Sequence, residues 1–97
     1  MITAFVLLDV DVAHVPEVAE TLVEIDGVTE VYSVTGRYDL IVKVRVGRNE
    51  DLADVVAGRI GKVTGIQGSE TVIAFRSYSE RLLDAGFALG QDVPDDD

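Results

Sequence analysis

The chain of 97 residues contains no cysteine and no tryptophan, and it has only two prolines, one histidine and six other aromatic residues. Without cysteine there is no disulfide framework and no thiolate chemistry, which suits a reducing compartment. The single histidine, His14, forms no recognisable Ser-His-Asp arrangement, the lack of cysteine removes any Cys-His pair, and it has no neighbour at a metal-ligand spacing. It reads as a surface or capping residue at the start of a helix. Basic residues are scarce, eight against eighteen acids, for a net charge of −10. A surface so negative repels phosphate backbones and argues against direct nucleic-acid binding. Apolar runs are short. None nears the roughly 20 residues that cross a bilayer, and the opening "MITAFVLLDV" has no basic leader. We therefore expect a cytoplasmic protein away from the membrane.

What is present fits one soluble domain. Hydrophobic residues make up 47% and charged ones 27%, enough for a single core in a chain too short for two. "ITAFVLLDV" reads as a strand. Val15, Val18, Ala19, Leu22 and Val23 fall at helical spacing, with Pro16 tolerated in the first turn and Gly27 following as a left-handed terminator. "VTEVYSVT" and "DLIVKVRV" are two more strands. Leu52, Val55, Val56, Ile60 and Val63 repeat the helical spacing, with Asn49 as the expected cap and Gly65 as the terminator. Arg59 falls on this apolar stripe and is expected to snorkel or to meet a carboxylate of a partner chain. "ETVIAFRSY", from Glu70 to Tyr78, supplies a fourth strand. "IDGVTEVYSV" and "VTGIQGSETVIAF" resemble each other as helix-exit-plus-strand units. The order βαββαβ predicts an α+β, ferredoxin-like fold, a four-stranded antiparallel sheet with two helices on one face. Residues 1–80 are expected to form this domain, 81–90 a short C-terminal helix and 91–97 a disordered acidic tail.

The two helices cover one face of the sheet, yet the other face is not cleanly polar. Phe5 and Leu7 in the first strand and Ile41 in the third lie on it. Apolar area removed from water is worth roughly 25 cal/mol per Å², so a cover is expected. The sheet of a second copy is the preferred cover. The alternative is the segment "ERLLDAGFALG", folding back through Leu82, Leu83, Phe87 and Leu89.

Between the second and third strands stands "TGRYD", Thr35 to Asp39. Gly36 permits a positive φ and leaves backbone N–H groups open, Arg37 offers a fork of donors, and Asp39 accepts from an ammonium group. Such a loop suits an α-amino acid, which carries both charges on one carbon. Turn chemistry alone also accounts for these residues, with Asp39 bonded to the loop backbone and Tyr38 a packed aromatic. Gly58-Arg59-Ile60-Gly61 is no phosphate loop, because it lies within a helix rather than opening one.

Taken in order, "DGVTEVYSVTGRYDLIVKV" resembles the effector-binding (RAM) domain of the Lrp/AsnC transcription regulators. A helix ends in the Gly27-Val28 step, a strand follows, and Thr35-Gly36-x-Tyr38-Asp39 turns into an apolar strand. A second step, Gly65-Ile66, precedes the Thr71-bearing last strand. The resemblance implies a stand-alone form of this domain lacking the family's helix-turn-helix part. It further implies a dimeric α/β barrel made by sheet-to-sheet packing, with dimers joining into octameric or larger rings. It implies an amino-acid effector bound at Thr35, Gly36, Arg37, Tyr38 and Asp39, with Ser69, Glu70 and Thr71 closing the site. Phe5, Leu7 and Ile41 would form the dimer interface. Full-length Lrp/AsnC regulators are candidate partners, no cofactor or metal is called for, and no enzymatic activity is expected. The alternative is a dimeric α/β-barrel enzyme of the small monooxygenase type, which would need a polar set that the chain's lack of tryptophan and its lone His14 do not supply. An ACT-like regulatory domain shares the fold and the ligand class.

Overall fold

The computed structural model describes residues 1–78. Strand β1 (Ile2–Val10) leads through a 3-10 turn (Val12–His14) into α1 (Val15–Val23). Strands β2 (Val28–Ser33) and β3 (Leu40–Val46) form a hairpin across the TGRYD loop. Helix α2 starts at Asn49–Ala53, continues through a π-wound segment (Asp54–Arg59) and closes in a 3-10 turn (Ile60–Lys62) before β4 (Ile66–Ile73). All pairings are antiparallel and the strand order is β2-β3-β1-β4. This is the ferredoxin-like arrangement expected from βαββαβ.

The alternation of each strand sorts its residues between core and open face. Ala4, Val6 and Leu8 of β1 and Leu40, Val42 and Val44 of β3 are fully buried. They pack with Val18 and Leu22 of α1 and with Leu52, Val55 and Ile60 of the second helical segment in one cluster. The intervening Phe5, Leu7 and Ile41 are only half-buried, on the face away from this cluster. Leu7 pairs with Ile41 on one side and Glu70 on the other, and Tyr32 completes that row.

Three expectations shift. The last strand runs Ile66–Ile73 rather than Glu70 to Tyr78, its start drawn back because its pairing to β1 reaches Val10 through an irregularity at Asp9/Val10. Asn49 is the first helical residue, not the cap. Arg48 holds the cap position in extended geometry and its guanidinium pairs with Asp51 at 3.3 Å. Arg59 leaves the apolar stripe: the Ile60 N–H reaches back five residues to the Val55 carbonyl, and this wider turn buries Ile60 and exposes Arg59. The expected C-terminal helix at 81–90, the tail at 91–97 and the fold-back through Leu82, Leu83, Phe87 and Leu89 lie outside the described residues.

Candidate effector-binding site

The TGRYD loop leaves β2 at Ser33 and must re-enter the sheet at Leu40, so its last residue meets the end of β1. Asp39 makes that join. Its backbone N–H donates to the Leu8 carbonyl at 2.9 Å, and its carbonyl accepts from the Val34 N–H at 3.0 Å. Its Oδ2 accepts from the Val10 N–H, also at 2.9 Å. Val10 stands at the register irregularity of β1 with β4, beyond the last residue of β1 that pairs with β3. The carboxylate meets its amide there, so Asp39 braces the loop against the sheet.

With Asp39 holding the base, the tip stays open. Gly36 has φ +112°, and a Cβ built there would meet nothing within 4 Å. Thr35, Gly36 and Arg37 are exposed. The Arg37 guanidinium carbon lies 5.6 Å from the centroid of the Tyr38 ring, a cation–π stack that holds the charge over the loop. Tyr38 reaches the other way and its hydroxyl donates to Glu70 Oε1 of β4. That hydrogen bond, then lost hydration and the Glu70 charge, push the Tyr38 hydroxyl above its ordinary pKa, with Asp9 adding to the effect and Arg37 opposing it. Between these groups lies a shallow hollow of about 670 Å³, floored by Leu7, Val34 and Ile41 and rimmed by Thr35, Arg37 and Tyr38.

The structure therefore gathers Thr35, Gly36, Arg37, Tyr38 and Glu70 on one side of the sheet. Ser69 and Thr71 part from them. Their register partners, Leu8 and Val6, are core residues, so both lie on the helix-side face while Glu70 points to the open one. Sequence reasoning does not single out Asp9. Its carboxylate lies over Gly68, where a Cβ would stand 3.2 Å from Oδ2, and it acts on the Tyr38 hydroxyl. Only its place after Leu7 in the alternation hints at this face. Among the described residues no group of three or more His, Cys, Asp or Glu side chains is placed to hold a metal, and no helix is long and apolar enough to cross a membrane.

The family model of the Lrp/AsnC ligand binding domain matches residues 3–83, most of the chain and nearly all of the fold just described. The chain belongs to the Lrp/AsnC family. The HTH-type transcriptional regulator FL11 of Pyrococcus abyssi is 36% identical over 77 residues, covering 79% of this chain and 50% of the regulator. The chain thus spans about half the length of the curated relatives it matches. Among solved structures, TTHA0845 from Thermus thermophilus is 45% identical with a TM-score of 0.77, covering 82% of this chain and 100% of that one. A feast or famine regulatory protein from M. tuberculosis, complexed with L-methionine, is 25% identical with a TM-score of 0.68, covering 97% of this chain and 58% of that one. These curated relatives are named transcriptional regulators, and the matching model is that of a ligand-binding domain. The monooxygenase-type alternative is set aside on that ground.

Proposed function

We propose that the chain is an effector-binding and self-assembling module that takes an α-amino acid in the hollow under the TGRYD loop. One observation carries this reading: Asp39 is spent on bracing the loop, while Gly36 and Arg37 stand open above an apolar floor. A carboxylate fits the Arg37 fork and the loop amides, an apolar side chain fits Leu7, Val34 and Ile41, and the nearby Glu70 charge, tied to the rim through Tyr38, favours an ammonium group. The methionine complex of the M. tuberculosis relative lends support to this ligand class.

The same reading has two copies packing their open sheet faces together through Phe5, Leu7 and Ile41, with dimers joining into rings of eight or more chains. Ligand held near such contacts favours one assembly state over another and so couples effector level to oligomer size. Full-length Lrp/AsnC regulators in the cytoplasm are the proposed partners, reached by co-assembly rather than by direct contact with DNA.

A thermal-shift screen of the twenty amino acids, run beside light scattering, tests this. A true effector at 100 times its Kd adds about 2.7 kcal/mol of stability and shifts the scattering mass. Gly36→Val and Arg37→Ala each abolish the response. If no amino acid stabilises the parent, or if both variants respond like it, the loop is only a turn.

A further inference from the structure

A second hollow, of about 630 Å³, lies on the helix side of the molecule, between the start of α1 and the segment from Arg59 to Gly65. Arg59 and Lys62 both line it. Among the described residues neither makes a hydrogen bond or ion pair, which is notable in a chain with only eight basic residues against eighteen acids. Arg59 arrives there by an irregularity of the backbone. In a regular helix it would follow Leu52, Val55 and Val56 onto the buried stripe. The π-wound turn shifts the phase by one residue, centres Ile60 in the core and turns Arg59 out into the hollow beside Lys62. Across from them His14 holds its Nδ1 against Asp11 at 3.0 Å, which fixes the imidazole on the wall of the hollow. Asp11 is itself engaged, by the Ala13 N–H and by His14. Thr64 adds a hydroxyl, while Val18 and Val63 provide apolar wall.

We propose that this hollow binds a small phosphate-bearing anion, the phosphate on Arg59 and Lys62 and the remainder of the molecule over Val18 and Val63. A guanidinium fork, an ammonium and a hydroxyl offer more donors than one carboxylate has lone pairs, and they match a tetrahedral dianion. The volume exceeds what free phosphate needs, so a phosphomonoester fits. Two carboxylates line the hollow, Asp11, already engaged by the Ala13 N–H and His14, and Glu17, whose carboxylate has no partner among the described residues. Glu17 opposes the anion and tunes affinity downward. This site is separate from the TGRYD hollow and does not depend on the amino-acid reading.

Titration calorimetry with inorganic phosphate, with glycerol phosphate and with acetate, each against sodium chloride of equal ionic strength, decides the matter. Saturable binding of both phosphates and weaker binding of acetate is expected. Arg59→Gln and Lys62→Gln each weaken it by about tenfold or more, the loss of one charge-assisted contact. Glu17→Gln strengthens it, and Gly36→Val leaves it unchanged. All three charged positions are exposed, so circular dichroism of the variants matches the parent. The proposal is overturned if phosphate has no effect beyond that of chloride, if acetate binds equally well, or if the Arg59→Gln, Lys62→Gln double variant titrates like the parent.

Discussion

An aspartate at the end of a hairpin turn has two uses, and Asp39 shows which one its surroundings select. The Val10 amide lies part-buried at a break in the ladder, and an unmet amide there costs more than a ligand contact on the rim could return. Asp39→Ala is therefore expected to lower stability by about 1–3 kcal/mol in urea unfolding, with no effector present. It is a poor probe of binding for the same reason. Tyr38 provides a second test. Its pKa is raised above 10.0, chiefly by the bond to Glu70, so the protonated hydroxyl is favoured in the folded state. The stability from that bond is complete below pH 10 and fades as pH climbs through the raised value. Difference absorbance titration of the parent against Tyr38→Phe should show phenolate forming late, and Glu70→Gln should bring it earlier. At the acid end the sign reverses. Asp11 is held below 3.8 by the Ala13 N–H and by His14, so its contribution is present above that value and lost as pH falls through the lowered one. The residue types of the loop are plain in the sequence. Their division of labour is not, because it depends on a strand thirty residues away.

At the scale of elements, hydropathy spacing locates every strand and helix, and its errors have physical causes. It places the start of β4 late, at Glu70, whereas β1 recruits the chain from Ile66 as an edge strand. It places Arg59 on the apolar stripe because periodicity assumes one winding throughout, and the π turn shifts the phase by one residue. Gly27 and Gly65 read as helix terminators. Both have positive φ, and each also permits a close approach: a Cβ would stand 3.0 Å from Val55 Cγ2 at Gly27 and 3.0 Å from Val18 Cγ2 at Gly65. Gly36 shares the positive φ but has empty space around it. Gly36→Ala should thus cost only the backbone term, about 1–2 kcal/mol. Gly27→Ala and Gly65→Ala should cost that and a further ~1–3 kcal/mol for overpacking. Melting of the three variants side by side checks the ranking, and equal losses would refute it.

For the whole molecule, the two faces of the sheet behave differently, and neighbouring residues of β3 separate them. Leu40 is fully buried under the helices, while Ile41 is half-buried on the open face. Leu40→Ala should remove about 2–5 kcal/mol of stability at any concentration. Ile41→Glu should leave the protomer folded and weaken self-association, seen as a lighter species in sedimentation at micromolar protein. A variant that sediments like the parent would mean that this face is covered in another way. The resemblance to the Lrp/AsnC family is readable without coordinates, since its markers run in order along the chain. The second hollow is not, because His14 and Arg59 are joined only by the packing of α1 against the turn before β4.

The order of elements, the core positions and the family are written into the one-dimensional pattern, because burial follows period two in strands and period 3.6 in helices. Folding alone settled which polar groups remain free to work. A carboxylate, a hydroxyl or a guanidinium is claimed by whatever donor or acceptor the chain brings near it. For Asp39, Tyr38 and Arg59 that neighbour, or its absence, is a fact of three-dimensional proximity that no local spacing encodes.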